Sequence, residues 1–147
     1  LYIIRELIDF QPESTTTDIS MALRYFTNVI KKRSTAFIIS DFIDDNLAQD
    51  TLTIANRKHD LVAFQIYDRR DAELPDVGLI KMKDAETGER LWIDTSSRKV
   101  RMMYKNIWDE RKLKLQQMIS KAGVDSVSME ASEDYVKALM RLFKMRT

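Results

Sequence analysis

Two oxygen-rich stretches carry the chemistry that this sequence offers. Residues 34–45 read STAFIISDFIDD, an apolar run that ends in Ser40 and Asp41 and is followed by Asp44 and Asp45. Residues 12–20 read PESTTTDIS and bring Thr15, Thr16, Thr17 and Asp18 to the front of an apolar-periodic segment. Hydroxyls and carboxylates are hard donors, suited to a divalent cation such as Mg²⁺ and not to zinc. Ligands of open parallel sheets sit outside the carboxyl ends of the strands. Asp41 and Asp68 each stand where an apolar run stops. A threonine hydroxyl of the Thr15–Asp18 segment together with Asp41, and at most one further carboxylate, is therefore the candidate metal-ligand set. Two donors leave the six-coordinate shell of Mg²⁺ incomplete. The competing role for an aspartate after a strand is to cap the next helix, which suits Asp44 and Asp45 ahead of a helix beginning near Asn46. Asp41 comes directly off the strand, too early to be that cap.

Other constellations are weaker. His59 is the single histidine and follows Arg57 and Lys58 at a helix end, where compensation of the helix dipole is the plainer role. No nucleophile elbow accompanies it, and Asp60 is merely its neighbour, so no serine–histidine–acid triad can be assembled. Three glycines in total leave no phosphate-cradling loop. Methionines such as Met102, Met103, Met118, Met140 and Met145 read as adaptable packing, and Trp92 and Trp108 as core or interface anchors. The polar stretch RRDAELPDVG falls close to the rim that carries Asp41 and Asp68. It offers Asp68, Arg69, Arg70 and Asp71 as partner-binding residues, against the alternative of a solvated crossover.

These positions need elements to hold them. Ile3, Ile4, Leu7 and Ile8 form one helical stripe that stops before Pro12. Because that stripe begins at the first residues, the helix reads as cut, with an upstream portion missing. Thr15 to Asp18 have capping spacing for a helix whose stripe is Ile19, Ala22, Leu23, Phe26, Val29 and Ile30. TAFIIS has the unbroken apolar character of a strand buried on both faces. DNLAQDTLTIANRKH reads as a helix and DLVAFQIYD as the next strand, which makes a parallel βαβ unit. LIKMK and RLWID flank a turn with Gly88 as an inserted β-hairpin. Thr95 and Ser96 are positioned to cap a long helix with Val100, Met103, Tyr104, Ile107, Trp108, Leu115, Met118 and Ile119 inward, closed by Gly123. VDSVSME is a third strand. A last helix, capped by Ser132, has Tyr135, Leu139, Leu142 and Phe143 inward. The expected fold class is α/β: a partial doubly wound, mainly parallel sheet with flanking helices and an inserted hairpin.

Composition narrows the function classes. A chain of 147 residues, 44% hydrophobic, has material for one core. Lys+Arg 24 against Asp+Glu 23 give a formal charge of +1, without a basic tract that would point to nucleic acid. There is no cysteine for disulfides or thiolate metal sites, and no apolar run approaches the length of a membrane span. A cytoplasmic setting is the expectation.

PESTTTDISMALRYF, FIISDFIDD, KHDLVAFQIYDRRDAELPDVGLI, DAETGERLWIDTSSRKVR and AGVDSVSMEASEDYVKALMRLF together resemble the bacterial "domain of unknown function 58" family, in its C-terminal half. YDRRDAELPDVG is the most specific part of the resemblance, which covers nearly the whole chain. It implies a fold like the von Willebrand factor A domain, so that residues 1–147 would be the C-terminal part of one such domain. It also implies association with MoxR-type AAA+ ATPases in the assembly or regulation of complexes, and a metal-ion-dependent adhesion site. On that resemblance Thr17 matches the site's threonine segment and Asp41 its aspartate segment. The Asp-x-Ser-x-Ser segment has no counterpart here, since Asp94 to Ser97 has the wrong spacing and follows the hairpin. Ser40-Asp41-Phe42 also lacks the glycine that often follows the aspartate.

The leading functional reading is a protein–protein interaction module, with Mg²⁺ as a cofactor only if upstream ligands complete the site. Its rival is a metal-dependent phosphoryl-transfer enzyme or nuclease with carboxylates at the strand ends. A third is a scaffold with a vestigial site. Half of a doubly wound sheet would leave the TAFIIS strand with an open edge, so self-association is also expected.

Overall fold

The computed structural model describes residues 2–11, 16–84 and 87–146. Three parallel strands, β1 (Thr35–Ser40), β2 (Asp60–Tyr67) and β5 (Asp125–Glu130), form a sheet in the order β1-β2-β5. Strands β3 (Leu79–Lys83) and β4 (Arg90–Asp94) pair antiparallel as a separate hairpin inserted between β2 and β5. The mixed α/β class, the parallel sheet and the hairpin agree with the sequence reading.

Helices cover the two faces unequally. On one face α2 (Ile19–Val29), α3 (Gln49–Lys58) and the end of α5 (Arg98–Lys121) enclose a core that includes Leu23, Leu52, Ala55, Leu61, Leu115 and Ile119. On the other face α6 (Tyr135–Met145) packs Ala138 and Leu142 against Val62, Phe64, Val127 and Met129. Register partners in a parallel sheet share a face, and Phe37 and Ile39 pair with Val62 and Phe64. They lie on the α6 side, beyond its reach, at 48% and 66% exposure. The expectation that TAFIIS is buried on both faces is therefore corrected: Ala36 and Ile38 pack on the first core, and the opposite side is open. The apolar stripe of α1 (Tyr2–Asp9) buries none of its residues.

Helix ends correct several expected caps. Asp18 itself caps α2, its side chain accepting from Met21 N at 2.7 Å; Thr15 lies outside the described residues. The N-cap of α5 is Ser97, without a side-chain bond, and neither Thr95 nor Ser96 serves. Thr95 is fully buried, donating to Gly78 O and accepting from Val77 N, so it fastens the base of the hairpin. Asp134, not Ser132, caps α6; the Ser132 hydroxyl donates to Glu130. Tyr135 and Phe143, expected inward, are exposed, because α6 has sheet beneath it only along Ala138 and Leu142. Met103 and Ile107 of α5 are exposed for the same reason, the first half of that helix running past the edge of the core. Gly123 does close α5. Its φ of +66° suits glycine, with Gly123 N donating to Ser120 O and Val124 N to Ile119 O, a Schellman termination. Among the described residues no helix is long and apolar enough to cross a membrane.

Candidate functional site

The carboxyl ends of the three strands define a rim, and a row of polar side chains runs beneath it. Ser40, Gln65 and Ser128 are register partners across β1, β2 and β5 and share one face. Gln65 is buried at the centre of an otherwise apolar strand. Its Nε2 donates to Asp41 O at 3.2 Å and its Oε1 accepts from Ser128 Oγ at 3.0 Å. One amide thus fixes the exit of β1 against β5. A buried amide satisfied on both sides specifies register as well as stability.

Directly after β1 the chain turns at Phe42, whose φ is +59°. A left-handed conformation costs a side chain about 1–2 kcal/mol. Here it lets Phe42 enter the core while Asp41 and Ile43 stay exposed. Asp41 Oδ1 accepts from Ile43 N at 3.1 Å, and Phe42 N donates to Ser40 Oγ at 3.0 Å. Asp41 Oδ2 takes no hydrogen bond from a described residue, so Asp41 presents one uncommitted carboxylate oxygen at the rim.

Asp44 does something the sequence did not suggest. Expected at the front of the following helix, it accepts instead from Ile19 N, in the first turn of α2, at 2.8 Å. Its other oxygen takes Asn46 N at 2.8 Å. Helix α3 starts at Gln49, with Ala48 as N-cap and no side-chain bond. Ser20 strengthens the same join, donating to Asn46 O and accepting from Ala48 N. These bonds tie the first turn of α2 to the loop that follows β1. Thr17 is exposed. Asp44 has spent both oxygens on backbone N–H groups, whereas Asp41 keeps Oδ2 uncommitted among the described residues. No group of three His, Asp or Glu side chains able to hold a metal occurs among the described residues.

The four proposed rim residues of the next loop are organised differently. Asp68 caps α4 (Arg69–Ala72) in a reciprocal capping box: Asp68 Oδ1 accepts from Arg70 N at 2.7 Å, and Asp71 Oδ2 accepts from Asp68 N at 2.9 Å. Both carboxylates have local work, whereas the Arg69 and Arg70 guanidinium groups are exposed. Tyr104 OH donates to Arg70 O at 3.2 Å and joins this turn to α5. Burial, and next the Asp71 charge, raise the Tyr104 phenol above its ordinary 10.0. Lys105 Nζ lies 3.0 Å from Glu73 Oε1. That hydrogen bond holds the Glu73 carboxylate below its ordinary 4.5 and lifts Lys105 above 10.5.

Helix α5 forms the far wall of the rim. A cleft of about 90 Å³ opens between the loop of Asp41, Asp44 and Asp45 and the turn of Arg111, Lys112 and Lys114, floored by Phe42, Leu47, Leu115 and Met118. A second hollow of about 260 Å³ continues past Trp108 to Tyr67, Arg69 and Lys105. The Tyr67 and Trp108 rings, 5.3 Å apart, separate the two, and Lys112 Nζ sits 5.4 Å from the Tyr67 ring centre. Sequence reasoning missed this wall. The signals were a lone glutamine within VAFQIY and a surplus of cations along the helix.

The profile of the family described as "Protein of unknown function DUF58" matches residues 1–113. The chain is 26% identical over 137 residues to "Uncharacterized protein MAV169" of Mycobacterium avium, covering 92% of this chain and 79% of that protein. It is 34% identical over 77 residues to "Uncharacterized protein Mb1516" of Mycobacterium bovis and to "Uncharacterized protein Rv1480" of Mycobacterium tuberculosis. Those matches cover 52% of this chain and 24% of each relative. No solved structure matches the chain.

Proposed function

The chain belongs to the DUF58 family, and from that membership and the rim geometry we propose that it is a protein-interaction module whose partner docks at the carboxyl ends of β1 and β2. The observation that supports this reading is the Asp44–Ile19 bond, which ties the start of α2 to the loop after β1, while Asp41 keeps one carboxylate oxygen uncommitted among the described residues. A divalent ion between the Thr17 hydroxyl and Asp41 Oδ2 would have open positions, and a carboxylate from the partner would close one of them. Bonds of that kind are charge-assisted and favour a docked complex over two solvated surfaces. A MoxR-type AAA+ ATPase is the partner that the family resemblance implies, in the assembly or regulation of complexes.

The test is a thermal melt with Mg²⁺ or Mn²⁺ on this chain and on one extended upstream, each with and without Asp41→Ala, together with partner capture from the extended protein in EDTA. Stabilisation of the extended protein that Asp41→Ala removes, with capture lost in EDTA, is the expected result. Melts indifferent to the ion and capture indifferent to EDTA would remove the metal bridge. Phosphoryl transfer draws on the same Asp41 and on the cations across the cleft. It predicts phosphoester hydrolysis that disappears in Asp41→Ala.

A further inference from the structure

Strand β1 leaves one edge of the parallel sheet without a partner among the described strands. Ser34 O accepts from Asp60 N on the β2 side. Backbone polar groups alternate sides along a strand, so the N–H and C=O groups of Thr35, Phe37 and Ile39 point out of the open edge. Apolar side chains flank that edge on both faces. Phe37 and Ile39 are exposed on the α6 side. On the other face α2 turns Ser20 towards the start of α3. Tyr25 and Val29 lie about half a turn around α2 from Ser20, on the flank away from α3, and are exposed.

An edge of this kind takes an extended strand, and the charges at its two ends say which one. STAFIIS is preceded by Lys31, Lys32 and Arg33 and followed by Asp41, Asp44 and Asp45. Asp44 is spent on Ile19 N and Asn46 N. The three cations, Asp41 and Asp45 are exposed, and no ion pair engages them among the described residues. Arg111, Lys112 and Lys114 stand across the cleft from the aspartates without an ion pair to them, and Asp60, at the cationic end, is held by Arg146. A second β1 laid parallel to the first would set cations against cations and aspartates against aspartates. Laid antiparallel, it brings the cations of each copy to the aspartates of the other, twice over.

We infer that two copies of this chain pair antiparallel through β1 about a two-fold axis, extending the sheet to six strands in the order β5-β2-β1-β1-β2-β5. Phe37 and Ile39 of both copies meet on the α6 side as cross-strand neighbours. Lys31, Lys32 and Arg33 of each copy face Asp41 and Asp45 of the other, which fixes the direction of pairing and makes it salt-sensitive. The contact uses the same patch on both copies, so it closes at a dimer. It does not rest on an ion at the rim.

Sedimentation velocity in EDTA tests this on three forms of the chain: unaltered, Lys31→Glu with Lys32→Glu and Arg33→Glu, and Asp41→Lys with Asp45→Lys. The unaltered chain is expected to form a dimer that dissociates on dilution and with added salt. Each variant alone sets like charges together and should dimerise roughly tenfold more weakly. An equal mixture of the two variants restores every opposite-sign contact and should recover the unaltered affinity, which misfolded variants would not do. An unaltered chain that stays monomeric, variants that dimerise as well as it does, or a mixture that fails to recover overturns the proposal. So does a monomer from the chain extended upstream, because a segment of the same molecule would then hold the edge.

Discussion

Asp44 Oδ2 accepts a hydrogen bond from Ile19 N across 25 residues of chain, at 2.8 Å. A carboxylate that follows one strand thus satisfies the orphan N–H of the helix before that strand, where the positive end of the helix dipole also favours it.

Asp44→Ala removes this bond and the turn to Asn46 together. It is expected to cost about 1–2 kcal/mol in chemical denaturation. Asp41→Ala and Asp45→Ala should stay within about 0.5 kcal/mol, as exposed positions do. Equal effects of all three would mean that the Asp44 join is not what holds the rim.

His59 is 1% exposed, with its ring 4.5 Å from that of Phe26, and neither ring nitrogen has a hydrogen-bond partner among the described residues. The sequence reading placed His59 at a helix end for dipole compensation; it is the C-cap of α3, and that end turns its ring into the core. Buried polar atoms without partners cost free energy that an apolar side chain of similar size recovers, so His59→Leu is expected to stabilise by about 1 kcal/mol. A lower denaturation midpoint would point to a partner for the imidazole.

The Glu73–Lys105 bond predicts a pH window. Glu73 has its folded value depressed by the hydrogen bond from Lys105, so its contribution is complete above its ordinary 4.5 and is lost as the pH falls through the folded value. Lys105 is raised, so its share is complete below 10.5 and is lost as the pH rises through its folded value. Lys105→Gln should move the NMR titration midpoint of Glu73 back up towards 4.5. An unmoved midpoint would remove Lys105 as the cause.

Asn56 joins three elements: its Nδ2 donates to Gly123 O at 2.7 Å and to Ala122 O at 3.3 Å, while its Oδ1 accepts from Leu61 N at 3.1 Å. Asn56→Asp keeps the shape but sets a carboxylate against two carbonyl oxygens, so it should destabilise by about 2–3 kcal/mol. That is more than Asn56→Ala, which leaves room for water. Equal losses in thermal melts would show that the donor side carries little.

The strand β1 carries Phe37 and Ile39 exposed beside an edge that no described strand pairs, with no lysine or proline within it. Such an edge is a template for pairing, so sedimentation velocity is expected to show concentration-dependent association that Ile39→Lys suppresses. A monomer at every concentration would sink this expectation.

The periodic segments were legible in the sequence. The stripe of Ile19, Leu23 and Phe26 and the apolar runs of β1 and β2 gave the correct elements, because burial imposes its period on side-chain type. What stayed hidden depends on tertiary partners. Nothing local in Asp44 says that its acceptor serves Ile19, and nothing in Tyr135 or Phe143 says that the sheet beneath α6 is too narrow to cover them. The cationic wall of α5 faces the rim only because Leu115 and Ile119 bind that helix to the core.

The hairpin inserted ahead of β5 has a bearing on the order of folding. Strand β1 meets β2 through pairs such as Thr35 with Asp60, whereas β2 meets β5 through pairs such as Val62 with Asp125. The second closure spans more than twice the chain of the first, and loop closure slows with sequence separation. During synthesis the β1–α3–β2 unit can form early, with Val62 and Phe64 waiting for Val127, Ala138 and Leu142. Arg146, which bonds Asp60 and Asp125 at the start of both strands, closes last as a clasp over the finished sheet. Amide exchange should therefore find β5 and α6 opening together, ahead of the β1–β2 pair.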